Sequence, residues 1–156
     1  MSDPFGEILA AMCAAALAVD GVGAALPTDG RDPEQMAAEA TKRRATGAAV
    51  FCRVAGGDRV QDAPRGTDRT ELALAFAAAV PSLAGRGACL AEAYALWYRL
   101  YQAVSGSRLS LDWLDRPLQY RDWALVYDSP QCAIVDLVTV TRFDLARWSD
   151  ASESAP

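Results

Sequence analysis

The chain has 156 residues, of which 52% are hydrophobic, and its formal net charge is −5. This length can bury one sizeable core but hardly two, so we expect a single domain over residues 1–148 and a flexible acidic tail over 149–156. The negative charge argues against specific nucleic-acid binding and against binding to an anionic membrane surface. The chain contains no histidine, which excludes Ser-His-Asp and Cys-His catalytic devices.

The sequence also indicates where the protein is located. No apolar run is long enough to span a membrane, and the start Met-Ser-Asp-Pro is acidic where a signal peptide is basic, so we expect a cytoplasmic protein.

The four cysteines are far apart, lack metal-site spacing and lie in apolar segments. They are therefore predicted to be small buried side chains in a reducing compartment. They are Cys13, Cys52, Cys89 and Cys132.

The first segment predicts an amphipathic helix. Asp3-Pro4 has the character of a helix start, and apolar residues then recur at spacings of three and four up to about Val19. Residues 20–30 contain glycines, a proline and polar side chains, so they are predicted to form a loop.

A second helix start follows this loop. Asp32-Pro33 repeats the start signal and Gln35 completes a capping box, which predicts a short, exposed helix to about Arg44. The basic cluster at its end, Lys42-Arg43-Arg44, is explained by a solvated helix face or a helix C-terminus. Residues 48–54 are then predicted to be a strand because they are β-branched and aromatic.

The middle of the chain predicts a loop and then a second strand. Residues 55–68 contain three glycines, one proline and five charged side chains with little apolar content, which is typical of a functional surface loop. From Thr70 onward, apolar residues alternate with alanine and glutamate through Phe76, which favours a strand; the alanines keep a helix open as the alternative.

The clearest helix is predicted over 88–104, ending at Ser105-Gly106. An apolar stripe at helical spacing marks its face towards the core, and we interpret its aromatic members as core anchors. The stripe consists of Leu90, Tyr94, Trp97, Leu100, Tyr101 and Val104.

The last third predicts a strand pair. A short extended segment is expected over 109–113. Residues 123–127 and 132–143 are rich in β-branched and aromatic side chains and are separated by a four-residue turn, which is typical of a β-hairpin. The second strand is apolar on both sides, which places it inside a sheet. The order of elements predicts an α+β fold: a mainly antiparallel sheet of four to five strands with two principal helices packed on one face.

The succession of elements also carries a family resemblance. It comprises the N-terminal helix, the Pro-containing polar segment 27–33, the strand Val50-Phe51-Cys52-Arg53-Val54 followed by Gly56-Gly57, the segment 69–76, the long helix ending at Gly106 and a closing strand pair. This order resembles the tail-completion proteins, or tail terminators, of Mu-like and other long-tailed bacteriophages. The resemblance spans roughly residues 5–145 and rests on element order rather than on a short motif.

The resemblance implies a structural virion protein without catalytic activity, cofactor or metal. Such a protein forms a ring, typically a hexamer, that terminates the tail tube at its head-proximal end and joins it to the neck. The expected partners are further copies of the chain, the tail-tube protein and the neck or head-completion proteins. The expected location is the virion tail, assembled in the cytoplasm of the bacterial host.

Several residues are candidates for contacts in such a ring. Asp136 lies within an apolar strand, where a salt bridge to Arg121 or Arg142, an edge position or a neighbouring subunit would account for its charge. Aromatic residues near the C-terminus, Trp113, Tyr120, Trp123 and Trp148, favour interfaces. The 55–68 loop is expected to become ordered on assembly. The predicted oligomer-interface residues are Arg59, Arg65, Tyr120, Arg121, Asp136 and Arg142.

Two other classes remain open. A cytoplasmic interaction module, such as an adaptor or immunity-type protein, would be a monomer with one exposed apolar patch. A small enzyme could use paired carboxylates, which would have to share a pocket. The candidates for this chemistry are Asp112, Asp115, Asp122 and Asp128.

Overall fold

The computed structural model of the protein describes residues 3–28, 32–60, 68–82 and 86–154. Within these ranges the chain forms four α-helices, one short 3₁₀ turn and five strands. In chain order they are α1 (Pro4–Leu17), β1 (Val22–Pro27), α2 (Pro33–Lys42), the 3₁₀ turn Arg44–Thr46, β2 (Ala48–Arg59), β3 (Arg69–Pro81), α3 (Arg86–Val104), β4 (Gln119–Asp128), β5 (Cys132–Asp144) and α4 (Leu145–Ser154).

The five strands form one sheet in the order β1-β2-β3-β5-β4. The predicted α+β class is confirmed, and the sheet is mixed: β1 pairs with β2 in parallel, while the other three pairings are antiparallel. The parallel pair requires a crossover, and α2 lies within the connection that provides it. β2, β3 and β5 occupy the interior of the sheet, as expected for strands that are apolar on both sides.

Helices cover both faces of the sheet. On one face, α1 and α3 bury alternate residues of the strands, including Leu74, Phe76 and Leu137. On the other face, α2 covers Phe51, Ile134 and their neighbours. Alternate side chains of a strand point to opposite faces, so this arrangement divides the core into two layers.

β3 is a strand in spite of its alanines. Every residue from Ala75 to Ala79 is fully buried, because β3 lies at the centre of the sheet with a neighbouring strand on each side. Tertiary pairing therefore decides against the helix that alanine would favour locally.

The loop predicted over residues 20–30 is wrong for residues 22–27, because these residues form β1. Its residues are small and have low strand propensity, so the pattern alone did not indicate a strand. Gly23 is required there: a Cβ atom at this position would overlap the backbone carbonyl of Thr46 in the 3₁₀ turn. The strand forms because β2 offers a hydrogen-bonding edge next to it.

The predicted exposure of α2 is also wrong. Asp32 caps this helix by accepting a hydrogen bond from Gln35 N at 2.9 Å, as the capping pattern indicated. Met36, Ala37 and Ala40 are nevertheless buried against the sheet. Such a short apolar stripe is inconspicuous in the sequence, but it packs on Phe51, Ile134 and the small residues between them on the facing strands.

The limits of other elements differ from prediction. β2 continues to Arg59, so residues 55–59 of the predicted loop are strand, while residues 61–67 lie outside the described part of the chain. The predicted extended segment 109–113 is a series of turns, in which Leu109 and Ser110 have positive φ angles of 52° and 59°. The predicted tail begins within α4, which continues to Ser154; its flexibility remains a prediction.

Candidate interaction surface

One flank of α3 carries aromatic side chains beside β4. The buried stripe of the helix is formed by Cys89, Ala93, Leu96, Leu100 and Val104. The 3.6-residue period places the aromatic residues on the adjoining flank. The prediction that these aromatics are core anchors is therefore wrong for Tyr94, which is exposed, and only partly right for Trp97 and Tyr101, which are half-buried.

β4 adds Tyr120 and Trp123 to the same surface. Residues three apart in a regular strand point to opposite faces. A bulge between Tyr120 and Asp122 changes this, since Tyr120 lies opposite Thr139 and Trp123 lies opposite Leu137, two residues that share a face. The bulge therefore brings both rings towards α3.

Trp97 is the centre of the cluster. Its ring is stacked on Tyr101 at a centroid distance of 5.8 Å and lies edge to face with Tyr120 at 6.1 Å and Trp123 at 6.5 Å. Its indole N–H donates a hydrogen bond to the carbonyl oxygen of Asp136 at 3.2 Å. These contacts fix Trp97 to the sheet and hold the surrounding rings in defined orientations.

We call the six side chains of this cluster the aromatic surface: Tyr94, Trp97, Tyr98, Tyr101, Tyr120 and Trp123. Four of them, Tyr94, Tyr98, Tyr120 and Trp123, are between 39% and 54% exposed. Because tyrosine and tryptophan combine a large apolar area with a polar group, such an exposed cluster is typical of a protein interface.

The aromatic surface adjoins an open edge of the sheet. β4 is the outermost strand, and no described strand pairs with its outer side. All residues from Gln119 to Leu125 are exposed. A strand edge of this kind presents free backbone N–H and C=O groups to another chain. Aromatic anchors and a hydrogen-bonding edge therefore lie side by side.

The predicted interface residues do not form one patch. Tyr120 belongs to the aromatic surface, whereas Arg121 is exposed and lines a small hollow with Glu71 on the opposite face. Arg59 is the last residue of β2, and Arg65 lies outside the described residues. Their role in subunit contacts remains a prediction.

Asp136 has a partner that the sequence did not indicate. Arg53 of β2 donates a hydrogen bond to Asp136 Oδ2 at 2.8 Å, so the predicted pairing with Arg121 or Arg142 is wrong. The guanidinium reaches across β3, where Ala75 and Ala77 are small enough to allow it. Arg53 and Asp136 are 83 positions apart in the sequence, so no local pattern could indicate this pair.

Arg142 also forms an ion pair within the chain. Its Nε donates to Glu71 Oε2 at 3.0 Å between β5 and β3. Arg142 and Asp136 therefore both have internal partners. A contact of their sheet face with a neighbouring subunit remains a prediction.

The aspartates considered for catalysis lie in two different parts of the fold. The Arg147 guanidinium contacts both Asp115 and the backbone carbonyl of Asp112, whereas Asp122 and Asp128 lie on β4. Asp115 forms ion pairs at 3.4 Å with both Arg69 and Arg147. Asp122 accepts a hydrogen bond from Trp123 N, and Asp128 lies six positions further along the strand, roughly 20 Å away at the usual rise per residue. Among the described residues, no group of three or more acidic or cysteine side chains could hold a metal ion.

The cysteines include a contact that the sequence missed. Cys52, Cys89 and Cys132 are buried, as predicted, while Cys13 on α1 is half-buried. A hydrogen bond from the Cys52 thiol lowers the pKa of Cys13 to about 7 and raises the pKa of Cys52 above its ordinary value. Burial also raises the pKa of Cys89 above its ordinary value and that of Cys132 to about 12, so Cys13 has the lowest pKa of the four thiols.

Comparisons with known proteins find no matching family model and no significantly similar curated protein. None of the helices in the described ranges has the length and apolar character needed to cross a membrane. The structure shows an α+β protein with an exposed aromatic surface at one edge of its sheet.

Proposed function

We propose that the protein is a structural subunit that assembles with copies of itself into a closed ring, as a tail terminator does at the head-proximal end of a phage tail. The observation that carries this proposal is the aromatic surface beside the open edge of β4. Large aromatic side chains in the centre of an interface contribute much of its binding free energy. An open strand edge supplies directional backbone hydrogen bonds.

The arrangement of the sheet is compatible with a ring. Its two outer strands, β1 and β4, lie at opposite sides and present different side chains. A contact between two different surfaces is heterologous, and repeated contacts of this kind close into a ring when the rotation allows it. A ring of tail-terminator type, typically hexameric, is the form that we propose.

The fold supports the phage assignment within this proposal. The elements on which the resemblance rests include an N-terminal helix, a long helix and a closing strand pair, and α1 and α3 pack on the same sheet face. The net charge of −5 suits a ring through which DNA passes, because like charge prevents tight contacts with phosphate. The proposed partners are the tail-tube protein and the neck proteins.

Light scattering over a concentration series tests the proposal, with the full chain measured alone and with tail-tube protein. We expect a closed ring in at least one condition, visible by negative-stain electron microscopy. Hydrogen exchange in β4 should slow on assembly because its open edge becomes covered. A strictly monomeric protein with tube protein present would refute the ring.

The runner-up function is a cytoplasmic interaction module of the adaptor or immunity type. The same aromatic surface supports it, since one exposed apolar patch on a monomer is typical of a protein that binds a different partner. A monomer that ignores tube protein would favour this alternative.

A further inference from the structure

Two of the four cysteines meet in the core layer between α1 and the sheet. Cys13 lies on α1 and Cys52 on β2, and α1 packs directly on β2. Both side chains belong to the apolar layer that α1 and α3 cover, and their thiols form a hydrogen bond with each other. The two sulfur atoms are therefore neighbours, although the residues are far apart in the sequence.

The other two cysteines are not arranged in this way. The Cys89 thiol on α3 donates a hydrogen bond to the carbonyl oxygen of Val80 at 2.9 Å, within the layer that also contains Cys52. Cys132 is buried in the layer beneath α2, on the opposite face of the sheet. The sheet itself therefore lies between the side chains of Cys89 and Cys132.

Exposure differs within the contacting pair. Cys52 has no exposed surface, whereas Cys13 is half-buried, so a small oxidant in solution can reach Cys13. The hydrogen bond from Cys52 lowers the pKa of Cys13 to about 7, so roughly half of this thiol is ionised at neutral pH. The thiolate is the form that reacts with peroxides, so Cys13 is the thiol that is oxidised first.

We propose that Cys13 and Cys52 form a reversible oxidation site, in which hydrogen peroxide oxidises Cys13 and Cys52 then closes a disulfide. In the first step the Cys13 thiolate attacks one peroxide oxygen and the O–O bond breaks. This gives a sulfenic acid and hydroxide, which takes a proton from solvent. In the second step the Cys52 sulfur attacks the sulfenic sulfur, the S–O bond breaks, and the departing hydroxide takes the Cys52 proton. Two thiols become one disulfide, and the peroxide becomes two waters.

The order of the two steps follows from the environment of Cys52. Its hydrogen bond to Cys13 and its burial both raise its pKa, so Cys52 does not react while Cys13 is a thiolate. Oxidation to the neutral sulfenic acid removes the negative charge that holds the Cys52 proton. Cys52 can then act as the resolving thiol.

The disulfide joins α1 to β2 and protects Cys13 from further oxidation. A sulfenic acid that meets no thiol proceeds to sulfinic acid, which is irreversible in most proteins, whereas small thiols return a disulfide to its reduced form. In a reducing compartment such a bond is transient. This inference does not depend on the proposed ring.

Peptide mapping of the full chain tests the site. Trypsin places the four cysteines in four different peptides, which are 1–31, 45–53, 87–99 and 122–142. After treatment with hydrogen peroxide and digestion without reductant, we expect 1–31 joined to 45–53, about 2 Da below the summed peptide masses. This link should exceed any other cysteine pair roughly tenfold, and dithiothreitol should remove it.

Three variants define the roles of the thiols. Cys13→Ser should abolish the link. Cys52→Ala should divert Cys13 to sulfinic acid, seen as a gain of about 32 Da on peptide 1–31, several-fold above wild type. This comparison is made at about pH 9, because loss of the hydrogen bond raises the pKa of Cys13. Cys89→Ala is the matched control, since it removes another buried cysteine of the same layer and should leave the link unchanged.

The wild-type result is decisive even if a variant does not fold, which circular dichroism establishes. Sulfinic acid at Cys13 without the linked peptides overturns the proposal, as do disulfides that join two chains on a non-reducing gel. Equal sulfinic acid in wild type and folded Cys52→Ala shows that Cys52 gives no protection and also overturns it. A Cys13 that stays unmodified while added glutathione is oxidised does the same.

Discussion

Replacing Arg53 by methionine should destabilise the protein strongly, although Arg53 lies on the face of the sheet opposite the aromatic surface. The side chain of Asp136 is only 7% exposed, and Arg53 approaches its Oδ2 at 2.8 Å. The other oxygen, Oδ1, is buried without a hydrogen-bond partner among the described residues. Arg53→Met would therefore leave a buried carboxylate without the cation that compensates its charge.

The expected magnitude follows from this burial. Removing one partner of a fully buried ion pair costs about 3–5 kcal/mol. The Arg53 side chain is 31% exposed, so water reaches one side of the pair and moderates the cost. We expect a loss of about 2–3 kcal/mol in the free energy of unfolding. Replacing both residues, as Arg53→Met with Asp136→Leu, should remain within about 1 kcal/mol of wild type.

Urea unfolding monitored by tryptophan fluorescence measures both changes. Protein concentration must be equal throughout and below the assembly range, because association stabilises the folded chain. With a denaturant slope of about 2 kcal/mol per molar urea, the single variant should unfold roughly 1–1.5 M earlier. A shift below about 0.3 M, or a double variant no more stable than the single one, would refute the reasoning.

Four further predictions concern other parts of the fold. The rate of Cys13 alkylation by iodoacetamide, followed by mass spectrometry, should reach half its maximum near pH 7. Cys52→Ala should move this midpoint to higher pH, because it removes the hydrogen bond from the Cys52 thiol. An unchanged midpoint in this variant would contradict the hydrogen bond between the two cysteines. Because folding lowers this pKa from 9.0, the contribution of Cys13 to the unfolding free energy should rise between pH 7 and 9, and Cys13→Ser should abolish that rise. Gly23→Ala should lower the thermal midpoint of unfolding in calorimetry by several degrees, because the added Cβ would displace the backbone at Thr46. An unchanged midpoint would show that the 3₁₀ turn moves aside without loss of stability. Asp32→Ala should cost about 1 kcal/mol in urea unfolding through loss of the helix cap, and Asp32→Asn should recover most of it; equal losses in both variants would argue against the cap.

Local sequence patterns determined where most regular elements form. Asp3 and Asp32 indicated two helix starts, and both side chains accept the expected capping hydrogen bonds. The turn between β4 and β5 was evident from Ser129-Pro130, which interrupts two runs with high strand propensity. These features depend on neighbouring residues, so they can be read without knowledge of the fold.

Tertiary structure decided the elements with weak local preference. Segment 22–27 becomes a strand because β2 offers it an edge, and the alanines of β3 become strand because partners lie on both sides. The buried stripe of α2 is equally dependent on the sheet beneath it. Small residues have little preference of their own, so long-range pairing determines their conformation.

The aromatic surface also depends partly on sequence pattern and partly on tertiary structure. The sequence identified Tyr120 and Trp123 as aromatics suited to an interface, but it assigned the rings of α3 to the core. The bulge in β4 turns Tyr120 and Trp123 towards α3, and the buried stripe of α3 leaves its aromatic residues on the adjoining flank. Together these two features place the rings of β4 and of α3 on one exposed surface. The 3.6-residue period of a helix determines which of its residues share a face. The extent of the sheet beneath the helix determines which of these faces is exposed to solvent.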